Sequence, residues 1–200
     1  MMLAKMMTCH VHKDQKDVFS YKQQHWAALA HVDGFIGQLG GWNLEKQEEA
    51  FVFGLWEDEK SYQDFMKHTH DSIFYKSGQQ STYRYLHVDL AKQAAAQGGR
   101  YNFFRSSAIE SRYMMVTTCQ IREGHTFTVK ELTDELTHSN YRCLFHAAAP
   151  VTPETLTIVS LYSIAVPDKT ADQLLHPAVS SITQHIYKLE RNWLVLKDPC

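Results

Sequence analysis

Apolar positions along the chain alternate between two periods. In Lys5–His12 (KMMTCHVH) they alternate singly, which predicts a strand. Over Val18–Val32 they fall at helical spacing, with Phe19, Trp26, Leu29 and Ala30 as one stripe, and Asp33-Gly34 closes the helix. Phe35, Ile36 and Leu39 then run into Gly40-Gly41-Trp42. A polar, acidic turn follows from Asn43 to Glu49, and a second apolar run covers Ala50–Trp56. These predict two strands. Glu57-Asp58-Glu59 opens a helix that carries Tyr62, Phe65 and Met66 at helical spacing. Ser77–Ser81 reads as a loop. Thr82–Leu90 alternates again, with Tyr83, Tyr85 and His87 on one side and Arg84, Leu86 and Val88 on the other. The order is β-α-β-β-α-β, a ferredoxin-like unit.

The segment 91–111 interrupts this pattern with Ala94-Ala95-Ala96, Gly98-Gly99 and polar residues around Phe103 and Phe104, and reads as a linker that partly packs down. The same order then returns. Strands are expected at Tyr113–Arg122, Tyr141–Ala149, Thr155–Ile164 and Trp193–Lys197. Helices are expected at Thr126–His138, with Thr128 as cap and Glu131 completing it, and at Thr170–Lys188. Thr8-Cys9 answers Thr118-Cys119, Leu55-Trp56 answers Leu161-Tyr162, His70 answers His176, and Tyr85-Leu86 answers Trp193-Leu194. Four matches in one order favour an internal duplication. The fold class expected is therefore α+β, with two tandem ferredoxin-like modules in one chain, 1–90 and a degenerate second one at 112–200, where Tyr162 stands in place of Trp56. A ferredoxin-like sheet covers one face with helices and leaves the other bare. Packing the two sheets against each other buries both bare faces, as an intramolecular dimeric α/β-barrel.

A hydrophobic fraction of 44% supports a packed core. Twenty basic and twenty-two acidic residues are interspersed, without a basic stripe, so nucleic acid is not an expected partner. No apolar run reaches the roughly 18 residues of a membrane span, and the start lacks the apolar core of a signal peptide. Cys9, Cys119, Cys143 and Cys200 form no CxxC pair; the first three sit inside apolar runs and read as reduced, buried thiols. A cytoplasmic protein, monomer or homodimer, is expected.

GFIGQLGGW, a strand ending in Trp56, and SYQDFMKHTHD together resemble the antibiotic-biosynthesis-monooxygenase superfamily of dimeric α/β-barrels, in particular its YdbC-like branch. The resemblance covers roughly residues 5–90; the second half shares only element order. It implies a ligand cavity between sheet and helices of one module, and chemistry that is either cofactor-free or haem-dependent. The haem-degrading members resemble one another in an Asn on the first strand and a Trp and a His on the second helix. Here Cys9 and His10 stand near the first position, Phe65 at the second and Tyr75 near the third, which argues against haem degradation.

Several residues could carry chemistry. His10 and His12 share a strand face and either position a ligand or form a half-exposed polar surface. His68 and His70 lie about 200° apart on a helix, so only one of them can face a given site. His70 is followed by Asp71; it is either a general base oriented by that carboxylate or a packed residue near the helix end. Trp26, Trp42 and Trp56 either stack on a flat ligand or fill the core. No phosphate-loop or nucleophile motif is present, and no metal site is indicated. The expected function is that of a monooxygenase-like protein. It binds a small apolar or aromatic ligand among Trp26, Phe35, Trp42, Trp56, Phe65, Met66 and His68, with His70, His10 and Asp71 as acid/base residues. The alternative is a non-catalytic binding or stress-related barrel.

Overall fold

The structure is a computed structural model that describes residues 1–96, 101–124, 143–164 and 177–198. In chain order the elements begin with β1 (Met2–Val11), α1 (Lys16–Gln23), a 3-10 segment (Gln24–His31), β2 (Phe35–Asn43) and β3 (Glu49–Trp56). Then come α2 (Glu59–His68), α3 (His70–Ser77), a 3-10 turn (Gln79–Ser81), β4 (Tyr83–Ala96) and α4 (Tyr101–Glu110). The second half contributes β5 (Tyr113–Ile121), β6 (Cys143–Thr152), β7 (Thr155–Tyr162), β8 (Val179–Leu189), a 3-10 turn (Arg191–Trp193) and β9 (Val195–Leu196).

The strands form one closed, eight-stranded antiparallel barrel with β9 added beside β2. It is assembled from two sheets of the same topology. In the first, β1 lies between β3 and β4, and β2 flanks β3. In the second, β5 lies between β7 and β8, and β6 flanks β7. Two seams close the ring. At one, Ala95 and Ala96 of β4 pair with Ala148 and Ala147 of β6; at the other, Gly41 to Asn43 of β2 pair with Leu189 to Tyr187 of β8. Gly41 is required at its seam, because a Cβ there would lie 2.0 Å from the Lys188 carbonyl oxygen. Two tandem ferredoxin-like modules thus bury their bare faces against each other, and the seams add backbone hydrogen bonds that leave few open sheet edges. The barrel interior is filled by side chains such as Met6, Phe51, Phe53, Met114, Phe145 and Leu161. Phe104 of α4 packs on this core against Phe53 and Phe145.

The structure departs from the sequence pattern in five places. The helix expected at Thr170–Lys188 is strand β8 from Val179 onward; Val179, Ile182, Thr183 and Ile186 are β-branched, and this run pairs with β5 along its length. The strand expected at Trp193–Lys197 is a 3-10 turn followed by the two-residue β9 on the barrel's flank. Trp193 therefore occupies a different element from Tyr85, and that residue match falls away. The helix expected over Val18–Val32 is α1 continued as 3-10, and the helix after Trp56 breaks at Thr69. The segment expected as a partly packed linker carries the end of strand β4 and, at 101–110, α4. The helix expected at Thr126–His138, His176 and Cys200 lie outside the described residues.

Candidate functional site

A cavity of about 320 Å³ lies between the first sheet's outer face and the helices that cover it. Strand alternation puts Lys5, Met7 and Cys9 of β1 on its floor. Gln23 and Trp26 come from α1 and its 3-10 extension, Tyr62 and Met66 from α2, and His70 and Phe74 from α3. Gln79, Tyr83, Leu86 and Val88 complete the wall. A shift in register between His10 and Val11 lets Tyr83 line the cavity together with Leu86 and Val88, although simple alternation sets them on opposite sides. Asp58 starts α2, its Oδ1 accepting from the Ser61 backbone N–H at 2.8 Å. Gly78, at φ +59, ends α3, and Lys22 Nζ donates to its carbonyl oxygen at 2.7 Å. Met66, Leu86 and Val88 are the lining residues with substantial exposure among apolar ones, which sets the mouth between α2 and β4.

The walls are mostly apolar, and the polar groups on them are few and ordered. Lys5 is half-buried; loss of hydration pulls its ammonium down from 10.5 to about 8, with Cys9 acting weakly the other way. Burial pushes the Cys9 thiol up to about 12, so it is protonated at neutral pH, and it raises Tyr62 and Tyr83 above their ordinary range. Lys5 Nζ lies 6.0 Å from the Trp26 ring centre and 5.8 Å from that of Tyr62. Trp26 Nε1–H donates to Gln79 Oε1 at 3.0 Å, and Gln79 Nε2–H donates to Gln23 Oε1 at 2.7 Å. His70 stacks on Phe74 and touches Trp26 and Phe65 by its ring. Its Nδ1 lies 3.0 Å from Asp71 Oδ1. A carboxylate only accepts, so Nδ1 carries the proton and Nε2 of the neutral ring carries the lone pair.

Three of the residues expected from sequence, Trp26, Met66 and His70, line this cavity. Phe35, Trp56 and Phe65 form a buried aromatic cluster beside it: Trp56 sits 5.2 Å from Phe35 and 4.9 Å from Phe65, ring centre to ring centre. Trp42 packs on Phe19 and Trp193 in a separate cluster, with Lys16 Nζ 4.4 Å above its ring. His68 lies in a shallow surface groove with His31 and Asp64, on the far side of the break at Thr69. His10 alternates to the other face of β1, where its ring meets Tyr85 and its Nε2 lies 4.0 Å from Glu49 Oε2. His10 and His70 therefore belong to different places. Asp71 is exposed and reaches the cavity only through His70.

Lys5, Gln23, Tyr62 and Gln79 carry no motif, and the sequence pattern passes over them as site residues. One signal was available for Lys5: it interrupts Leu3, Met7 and Cys9 on an otherwise apolar strand face. Near His10, inside the mouth of the barrel, the Glu49 carboxylate accepts from Asn43 Nδ2 at 2.7 Å and from the Tyr187 hydroxyl at 2.8 Å. Burial alone raises Glu49, but these bonds, with Lys46 and His185, outweigh it and hold the carboxyl below its ordinary range. Among the described residues no group of three or more His, Cys, Asp or Glu is placed to hold a metal, and no helix is long and apolar enough to cross a membrane.

This fold is that of the dimeric α/β-barrel proteins of antibiotic-biosynthesis-monooxygenase and chlorite dismutase type. A monooxygenase candidate from Lactobacillus acidophilus NCFM superposes with a TM-score of 0.66 at 11% identity, over 98% of this chain and 96% of that one. A monooxygenase candidate from Fusobacterium nucleatum gives 0.67 at 8% identity, over 100% and 96%. A chlorite dismutase candidate, TA0507, gives 0.56 at 7% identity, over 96% of each chain. By sequence, the chain belongs to the family of YdbC; the model of a domain of unknown function, DUF4937, matches its residues 3–91. Bacillus subtilis (strain 168) YdbC, an uncharacterised protein, is 33% identical over 94 residues, 46% of this chain and 79% of that one. Every residue lining the cavity falls within the matched segment.

Haem is the cofactor that the chlorite dismutase type brings into question. The 320 Å³ cavity is too small for a porphyrin with its propionates. The residues present do not fit haem.

Proposed function

We propose that the first-module cavity binds a small apolar or aromatic molecule and that the protein is a monooxygenase-type enzyme working without a bound cofactor. The observation that carries this reading is the apolar cavity with His70 in its wall, Nδ1 tied to Asp71 and Nε2 free to accept a proton. In this reaction His70 removes a proton from an acidic CH₂ of the ligand. The resulting anion reduces dioxygen to a bound peroxide, which loses water to leave a ketone. One CH₂ and one O₂ become one C=O and one H₂O. Trp26 and Phe74 hold the ligand's flat face against this base. The test is titration of the protein with anthrone- and naphthol-type ligands, following tryptophan fluorescence and oxygen uptake together. Binding with oxygen uptake that falls by about 10²-fold or more in His70→Ala is expected, the usual scale for general-base removal. Absence of both binding and uptake overturns it.

A second reading is favoured by the packing of Phe35, Trp56 and Phe65 as core beside the cavity. Here the protein binds its ligand without turning it over. Binding unaltered by His70→Ala, with no oxygen uptake in either protein, identifies this case.

We also infer that the barrel arose by internal duplication, with modules at 1–90 and 112–200. The support is a shared register: Leu3 pairs with Trp56 and Cys9 with Ala50, as Tyr113 pairs with Tyr162 and Cys119 with Leu156. Relatives whose two halves align in a different register would count against it. The cysteines at 9, 119 and 143 are free, which supports a reducing, cytoplasmic location; recovery of oxidised thiols after rapid alkylation of intact cells would argue otherwise.

A further inference from the structure

Two donors on the cavity wall, Gln23 Nε2 and Lys5 Nζ, lack an acceptor among the described residues. Trp26 Nε1–H can only donate, so Gln79 must turn its Oε1 toward it and its Nε2 toward Gln23. Gln79 Nε2 then takes up Gln23 Oε1, which fixes the second amide in the same sense. The relay ends on Gln23 Nε2, a donor on a residue only 1% exposed, with no acceptor near it. Such a group normally has a partner. Lys5 Nζ adds further donors and a positive charge. Among the described residues it has no carboxylate partner; its neighbours are the rings of Trp26 and Tyr62 and the Cys9 thiol. Burial keeps that thiol in its neutral form, so it supplies no counter-charge. The topologically equivalent position in the second module is an uncharged Met115: Lys5 pairs with Gly54 and Leu90 as Met115 pairs with Ser160 and Ile186.

We propose that the ligand of this cavity is an apolar carboxylic acid, bound as its carboxylate, whose oxygens accept from Lys5 Nζ and Gln23 Nε2 while its apolar body lies against Trp26, Met66 and Phe74. The inference rests on the cavity reading above and deepens it. A carboxylate supplies both things the cavity lacks, an acceptor for an amide N–H and a negative charge for an ammonium. A neutral hydrocarbon supplies neither and leaves both donors unpaired, which costs on the order of tenfold or more in affinity.

The test is equilibrium dialysis of the full chain with three probes of one shape: 2-naphthoate, 2-naphthamide and 2-naphthol, at pH 7. The naphthoate is expected to bind at least about tenfold more tightly than the amide. Lys5→Met is expected to remove most of that preference while leaving the amide within about twofold, and Gln23→Leu to remove part of it. The wild-type protein gives an independent check, since its preference for naphthoate must fall as pH rises past the Lys5 range and the ammonium is lost. Equal binding of naphthoate and naphthamide overturns this inference but leaves the apolar cavity standing. Preference for naphthol overturns the carboxylate assignment. Failure of all three probes to bind overturns both readings. Unaltered naphthoate binding by folded Lys5→Met, checked by near-UV circular dichroism, also refutes it.

Discussion

Replacing Lys5 by methionine should make the protein more stable. Methionine keeps the length and apolar packing of the lysine stem and removes the charge. The ammonium folds at a pKa of about 8 against 10.5 in a free chain, chiefly because burial strips its water. At about 1.4 kcal/mol per pKa unit, carrying it into the fold costs about 3 kcal/mol at neutral pH. The rings of Trp26 and Tyr62, at 6.0 and 5.8 Å, return about 0.5–1 kcal/mol each at that range. The expected net gain for Lys5→Met is therefore about 1–2 kcal/mol at pH 7.

The sign of the pH dependence follows from the same numbers. Between about 8 and 10.5 the unfolded chain binds more protons than the folded one, so the lysine's penalty is complete below about 8 and fades as pH rises through this window. Wild type should therefore gain on Lys5→Met by about 2 kcal/mol between pH 7 and pH 10. Cys9, Tyr62 and Tyr83 titrate in the alkaline range too, but they are common to both proteins and leave the difference largely intact. Guanidinium unfolding under reducing conditions at the two pH values, with equal slopes required for comparison, measures it. A Lys5→Met protein less stable than wild type at pH 7, or a gap that does not change with pH, would refute the reasoning.

Three further outcomes are expected. Trp56→Ala, which removes a residue 2% exposed and in contact with Phe35, Tyr62 and Phe65, should destabilise by about 3–5 kcal/mol in the same assay. Tyr187→Phe deprives the buried Glu49 carboxylate of a donor and should cost about 1–3 kcal/mol. Because Glu49 is held below its ordinary range, that deficit is present above about pH 4.5 and should shrink as acid protonates the carboxyl, visible as thermal midpoints that converge at low pH. Gly41→Ala sets a Cβ 2.0 Å from the Lys188 carbonyl oxygen; a loss of about 3 kcal/mol or more and faster amide exchange at Leu189 are expected, and Gly54→Ala, where the nearest atom is 4.0 Å away, is the mild control.

The fold was legible because its logic is periodic. Alternation in β1, the glycine-flanked strands β2 and β3, and the Asp58 cap each announced an element, and the bare sheet face required a partner. Legibility failed where long-range pairing overrode local pattern. The run from Val179 to Lys188 has apolar residues at spacings that suit a helix, yet its β-branched residues become a strand because β5 and β2 offer both edges. The site was half legible for a different reason. Aromatic and histidine clustering drew attention to Trp26, Met66 and His70, which line the cavity, but equally to Trp42, Trp56 and His10, which do not. Gln23 and Gln79 meet only through the folding of α1 onto the turn at Gln79, across more than fifty residues of chain, and no spacing in the sequence encodes that.

The two modules supply their own comparison. At one strand position, with the same pairing on both sides, the second module holds Met115, 4% exposed, and the first holds Lys5. Methionine packs at the equivalent position of the second module, and an ammonium here works against folding by the amount argued above. A lysine that stability alone would replace, set beside an amide donor that lacks an acceptor, makes sense if both are completed by something that is not part of the chain. The stability gain and the loss of carboxylate affinity in Lys5→Met are then two measurements of one arrangement. If the first appears without the second, the lysine is a burden with no ligand to explain it.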